Sequence, residues 1–214
     1  NESANVSEFE SELSKALSKE KITYEIIFID DGSTDDTYSK LSSLNKANKN
    51  VKVIRFSRNF GKESAMLAGL KNASGSYVAI MDADLQHTPE MLILMYKKLI
   101  DDDSFDCCCA YKSNREDEGS LKRTLTSLFY KINNKISDVK LLPGASDFRV
   151  FKKSVCDAIT SLDEKKRFLK GMFSWVGFNT IYVPYVPEKR MYGTSKWSLF
   201  KLLKYSLGGI ISFS

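Results

Sequence analysis

Apolar residues recur at helical spacing from the start of the chain. Val6, Phe9, Leu13 and Leu17 mark one face of a helix over residues 4–18, with Ser3 as its candidate N-cap. Tyr24 to Ile29 is a short, mostly apolar run that stops at Asp30-Asp31-Gly32-Ser33, which predicts a buried strand feeding a turn. Tyr38, Leu41 and Leu44 follow at helical spacing. Val51 to Phe56 reads as a strand, Gly61 to Lys71 as a helix, and Tyr77 to Met81 as a strand that ends at Asp82-Ala83-Asp84. Thr88-Pro89-Glu90 is an N-cap and first-turn signal for a helix running to about Ile100, and Phe105 to Ala110 reads as a further strand.

The second half is less regular. Residues 119–137 carry Leu121, Leu125, Leu128, Phe129 and Ile132 on one helical face. Pro143 to Asp147 reads as a loop, and Val150 to Leu162 and Arg167 to Val176 as helical stretches. Ile181 to Val186 is a strand whose Pro184 assigns it to a sheet edge. Residues 196–207 read as an amphipathic helix. Strands alternating with helices over short connections predict an α/β fold with a mainly parallel sheet flanked by helices. Such a sheet normally opens on a strand, so a first strand is expected upstream of residue 1. No repeat or low-complexity linker divides the chain, so residues 1–188 are expected to form one domain, with 189–214 as an appendage.

Composition narrows the class. The 214 residues are 43% hydrophobic and 28% charged, which excludes disordered, collagen-like and coiled-coil chains. The net charge of +5 is too small for a nucleic-acid coat protein, so no nucleic-acid partner is expected. Its position is informative: no acid follows Glu188, whereas Lys189, Arg190, Lys196, Lys201 and Lys204 do. A polyanion would therefore be met near the C-terminus. Cys107, Cys108 and Cys109 are adjacent and Cys156 is alone, a spacing that suits buried small side chains in a reducing compartment better than a zinc site.

The sharpest candidate chemistry is Asp82-Ala83-Asp84-Leu85-Gln86. Two carboxylates one residue apart at a strand end can address a single hard cation, Mg²⁺ or Mn²⁺, with the Gln86 amide oxygen as a third ligand. The same acids would also serve as caps of the following helix. Asp31 either accepts hydrogen bonds from a base or ribose or belongs to a capping turn. Gly61-Lys62 is followed by Glu63 and lacks the glycine spacing of a phosphate loop, and no GxGxxG is present. Bound phosphates would then fall to a metal and to cations such as Lys189, Arg190 and Lys196, which flank a glycine and small hydroxyls that suit a closing loop. Trp197, Phe200, Lys201 and Lys204 fit an interfacial helix on a membrane surface, or a core helix with two solvated lysines. His87 is read as orienting its loop rather than as a base.

Together these motifs resemble family 2 glycosyltransferases of the GT-A, Rossmann-like fold, specifically the polyprenyl-phosphate branch of dolichol-phosphate mannose synthases and bactoprenol glucosyltransferases. The matching residues are Asn1-Glu2, Ile29 to Asp35, Ser57 to Glu63, Asp82 to His87, Ser146 to Arg149, Arg167 to Gly171, Trp175 to Phe178 and Arg190 to Lys196. The resemblance implies that Glu2, Ile29 and Asp31 contact base and ribose, and that Asp82 and Ala83 line the nucleotide-sugar site. It implies that Asp84, with Asp82 and Gln86, holds the metal on the donor diphosphate. Arg190 and Lys196 would bind phosphates, with Ser195 beside them at the acceptor phosphate, and Asp147 would be the acid nearest the reacting centre. Arg is frequent in the family where Lys112 stands, so bidentate phosphate contact there is not implied.

The nucleotide-sugar part would span about 1–112 and the acceptor part about 113–188. The implied reaction is metal-dependent, inverting transfer of a hexose from a nucleotide sugar, UDP-glucose first, to polyprenyl phosphate. Such an enzyme is expected at the cytoplasmic face of a membrane, held by transmembrane helices beyond residue 214, with a homo-oligomer left open. The alternatives are GDP-mannose or UDP-N-acetylhexosamine as donor, a soluble glycan as acceptor, or a non-catalytic nucleotide-binding, membrane-docking module. The Gln-x-x-Arg-Trp motif of processive members is absent, since Gln86 is the one glutamine.

Overall fold

The computed structural model of the chain describes residues 1–113, 142–163 and 168–186. The expected helix over 119–137, the basic segment Lys189 to Lys196 and the amphipathic helix over 196–207 lie outside the described residues.

In order, the elements are α1 (Val6–Lys19), β1 (Ile26–Asp30), α2 (Thr37–Ala47), β2 (Val51–Arg55), α3 (Lys62–Asn72), β3 (Tyr77–Ile80), α4 (Pro89–Asp101), β4 (Cys107–Lys112), β5 (Ala145–Lys152), α5 (Lys153–Ser161), α6 (Leu169–Trp175) and β6 (Thr180–Tyr185). The α/β alternation of the first half is as the hydrophobic pattern predicts. In α1 the buried residues are Val6, Phe9, Leu13 and Leu17, the four that set its period. Thr88 caps α4 by accepting the Met91 N–H at 3.3 Å, with Pro89 at the first turn.

β1 pairs with β2 in parallel, and a four-stranded sheet runs β3-β5-β4-β6. Its β4–β6 ladder is parallel, while β5 pairs antiparallel with both β3 and β4. The mixed character comes from β5, which is central. The expected loop through Asp147 and the helix expected from Val150 are corrected here. Residues 145–152 form one strand, and the helix begins at Lys153. Burial explains the difference, because Phe148, Arg149, Val150 and Phe151 are all buried between two neighbouring strands, so alternation is lost.

The two faces of β5 address different cores. Phe148 and Val150 join Phe9, Leu13, Phe28, Met95 and Leu99 on one side. Phe151 joins Leu70, Val155, Ile159, Leu169 and Met172 on the other. The strand period therefore sends Asp147 and Arg149 to the Phe151 side, toward α3 and α6. All four cysteines are free and buried, in the role expected of them.

The expected transmembrane location does not stand. Among the described residues no helix is long and apolar enough to cross a membrane. The longest, α1, has 14 residues with one polar face, about 21 Å at 1.5 Å per residue against a hydrocarbon core of about 30 Å. Among the described residues, transmembrane anchoring thus has no support.

Candidate active site

The acids that end β1 have separate tasks. Asp30 is buried; its Oδ1 accepts the Ser33 N–H at 3.0 Å and its Oδ2 lies 3.6 Å from Arg55 Nε. Asp31 turns the other way and accepts the backbone N–H groups of Phe60 and Gly61 at 2.7 and 2.9 Å. Gly32, with φ +67°, makes this close approach possible: a Cβ there would stand 2.5 Å from the Arg58 carbonyl carbon. The segment ahead of α3 is thus laid across the turn after β1, and Gly61, with φ +95°, starts the helix.

After β3 the chain enters Asp82-Ala83-Asp84-Leu85-Gln86-His87. Leu85 has φ +60°, a strained backbone for a branched residue and the kind of outlier that gathers at functional sites. Ala83 and Leu85 pack against the larger core, and Asp84 Oδ1 accepts the Gln86 N–H at 3.2 Å. Asp84 is buried, whereas the Asp82 side chain is 42% exposed. His87 closes the loop: it stacks on Phe148 with ring centroids 4.4 Å apart, and its Nε2 lies 3.2 Å from the Tyr185 hydroxyl. Burial pushes His87 below its usual range despite the pull of Asp82 and Asp84, so it stays neutral at pH 7 and orients the loop.

Asp147 enters from the opposite face of β5, beside Phe148. Lys62, the first residue of α3, lies between the two acidic segments: its Nζ is 2.9 Å from Asp82 Oδ2 and 2.8 Å from Asp147 Oδ2. Lys170 of α6 approaches Asp147 Oδ1 at 3.8 Å and donates to the Ala145 carbonyl at 3.1 Å. Glu63 joins the two helices by accepting the Leu169 N–H at 2.9 Å. Arg149, buried over the Phe173 ring at 4.0 Å, donates to the Ser146 carbonyl. Burial alone would raise the Asp147 pKa, but Lys170 and Lys62 hold it well below the usual carboxylate range. Burial would lower Lys62, and Asp147 and Asp82 instead hold it above its ordinary value. A carboxylate held charged in this way is a poor base, suited to orienting and to electrostatic work.

Of the residues singled out from sequence, Asp82 and Asp147 meet through Lys62. Asp84 and Gln86 sit in the same loop. Lys112 ends β4 opposite Tyr185 of β6, at the same end of the sheet as Asp147. Ile29 lies under α3, with its Cγ1 3.7 Å from where a Gly69 Cβ would be. Glu2 holds the start of α1, its carboxylate accepting from the Asn5 amide at 2.6 Å and its N–H donating to Thr37 Oγ1. Asn1 beside it contacts Ser33 and Thr34. Arg190, Ser195, Lys196, Trp197, Phe200, Lys201 and Lys204 lie outside the described residues. Sequence reasoning gave no role to Lys62, Lys170, Arg149 or Tyr185. Lys62 and Lys170 stood inside quoted motifs, but their pairing partners are distant in sequence.

Among the described residues no three His, Cys, Asp or Glu side chains gather into a closed metal cage. Asp82 and Asp84 offer two carboxylates in one loop, which would suit a hard cation that keeps its waters and would be too few for a structural metal.

Acids from the turn after β3 and from β5 meet around Lys62 in an α/β fold, and comparison with known proteins supplies the class. The chain belongs to glycosyl transferase family 2, whose profile matches residues 2–160. It is 38% identical over 216 residues to an uncharacterized glycosyltransferase of Synechocystis sp., covering 100% of this chain and 67% of that one. It is 42% identical over 190 residues to the bactoprenol glucosyl transferase of Shigella phage SfV, covering 89% of this chain and 61% of that one. The chain thus spans about two-thirds or less of the length of these relatives. Among solved structures it resembles a mannosyltransferase from Pyrobaculum calidifontis in complex with GDP-Man and Mn²⁺. That match has a TM-score of 0.59 at 18% identity and covers 90% of this chain and 55% of that one; at this identity the likeness concerns the fold.

Proposed function

We propose that the chain transfers a hexose from a nucleotide sugar, UDP-glucose first, to polyprenyl phosphate, with inversion at the anomeric carbon. The observation that carries the reading is the convergence of Asp82, from the turn after β3, and Asp147, from β5, on the single ammonium of Lys62. The 42% identity to a bactoprenol glucosyl transferase supports glucose and a polyprenyl acceptor.

An acceptor phosphate oxygen forms the new bond to the anomeric carbon while the bond to the donor diphosphate breaks. The nucleoside diphosphate leaves with that electron pair. The nucleophile is already an anion near neutral pH, so Asp147 need not remove a proton; it orients the reacting groups. Asp82 and Asp84, with Gln86, would hold Mg²⁺ or Mn²⁺, which when bound supplies charge neutralisation on the departing diphosphate. Asp31, Ile29 and Glu2 would face base and ribose, and Lys112, Arg190 and Lys196 the phosphates.

The test is transfer from UDP-glucose, GDP-mannose and UDP-N-acetylglucosamine to polyprenyl phosphate and to soluble glycans, with Mn²⁺, for the chain and for Asp84→Ala. Glucosyl transfer to the lipid phosphate, lost in Asp84→Ala, is expected. Transfer to a soluble glycan alone overturns the acceptor, and full turnover by Asp84→Ala overturns the metal assignment.

A further inference from the structure

Lys62 is the first residue of α3, where the helix dipole is positive and acids are favoured. Glu63 obeys that preference and Lys62 violates it. Local stability therefore does not account for a lysine at this position, whereas its contacts do. Its one ammonium bridges two carboxylates from different elements, Asp82 at 2.9 Å and Asp147 at 2.8 Å. The side chain remains 36% exposed, and it is held by a long flexible stem anchored at the left-handed Gly61.

We propose that Lys62 is the built-in counter-cation of this site, occupying Asp82 until a divalent cation takes that carboxylate, whereupon Lys62 is released from Asp82 and remains paired with Asp147. This deepens the proposed function and rests on its reading of Asp82 and Asp84 as the cation-binding acids. Two cations on one carboxylate repel, so the ammonium and the metal compete for Asp82. Asp147 is the alternative seat. There Lys62 joins Lys170, and the carboxylate expected nearest the reacting centre is more fully neutralised once the site is loaded. Lys62 is thus a positioning residue that couples occupancy of the cation site to the charge around Asp147.

Because the two cations compete by mass action, metal affinity reads the coupling without any turnover. Mn²⁺ alone is titrated into the chain and its variants, and the free Mn²⁺ is followed by electron paramagnetic resonance. Lys62→Met is expected to bind Mn²⁺ about two- to fivefold more tightly than the unsubstituted chain, the scale of one partly exposed ion pair. Asp147→Asn removes the alternative seat, leaves Lys62 to Asp82 alone, and is expected to weaken Mn²⁺ binding severalfold. Asp84→Asn is expected to abolish binding. If Lys62→Met binds no more tightly while Asp84→Asn still abolishes binding, the counter-cation role is overturned and the metal assignment stands. If Asp84→Asn binds Mn²⁺ as well as the unsubstituted chain, the metal assignment falls and the counter-cation role with it. Should Lys62→Met fail to fold, Asp147→Asn decides: unchanged or tighter binding overturns the proposal.

Discussion

Asp31 accepts the backbone N–H of Gly61 at 2.9 Å, so the turn that ends β1 also fixes the residue from which α3 starts. The neighbouring Phe60 N–H is held by the same carboxylate at 2.7 Å. Lys62 follows directly, and its reach to Asp82 and Asp147 depends on where Gly61 stands. Asp31→Ala removes both acceptors and is expected to cost about 1–2 kcal/mol of stability, with Asp31→Asn, which keeps one oxygen, costing about half. Transfer activity should fall further than stability does, because the Lys62 ammonium loses its fixed origin. Urea unfolding beside a transfer assay checks this, and unchanged activity in Asp31→Ala would remove Asp31 from the chain of support.

Two glycines flank that contact and separate two costs. Gly32 combines φ +67° with no room for a Cβ, whereas Gly61 combines φ +95° with open space. Gly61→Ala is expected to cost about 1 kcal/mol from backbone strain alone. Gly32→Ala adds a clash with the backbone at Arg58 and Asn59 that no side-chain movement relieves, and should cost about 2–4 kcal/mol. Denaturant midpoints of the two variants rank them, and equal losses would show that the 58–61 segment can shift away from Gly32.

The first-half fold is legible because β1 and β3 are short apolar runs followed by acids, and helices such as α1 and α4 carry a clear face or a cap, as at Thr88. β5 is not legible for a physical reason. Ala145-Ser146-Asp147 has turn chemistry, and its strand state comes from pairing with β3 and β4, which are distant in sequence. The candidate site divides in the same way. Asp82 and Asp84 announce themselves by following a strand. Asp147 stands out through the family resemblance alone, and nothing local tells that Lys62 and Lys170 converge on it. Asp31 has contacts that nothing local announces, the backbone N–H groups of Phe60 and Gly61 about thirty residues on.

The adjacent thiols give a chemical check on the core. Burial pushes Cys107 and Cys108 up to about 12, and raises Cys109 and Cys156 as well. At pH 8 the thiolate fraction is then negligible for Cys107 and Cys108, and access is closed for all four. A disulfide-exchange reagent such as Ellman's should label less than one thiol per folded chain in minutes and four in denaturant. Rapid labelling of two or more in the folded chain would contradict the packing of β4.

Asp147 sets the sign of a pH dependence. Burial opposes its charge, yet Lys170 and Lys62 bring its folded-state pKa well below the unfolded value of about 3.9. A carboxylate depressed in this way contributes stability that is fully present above the unfolded pKa and is lost as pH falls through the folded one. Asp147→Asn leaves Lys62 and Lys170 facing a neutral amide, so it is expected to be less stable than the unsubstituted chain by a constant amount from pH 8 down to about 5. The difference should shrink only below about pH 4, as the carboxylate of the unfolded chain takes up protons while the native one stays charged. Turnover should show no acid limb from this group near neutrality, since it never needs to be deprotonated there. A stability difference between the two chains that already closes between pH 7 and 6 would mean that Asp147 titrates near neutrality. In that case the two lysines do not hold it as an anion, and proton transfer would return as its role.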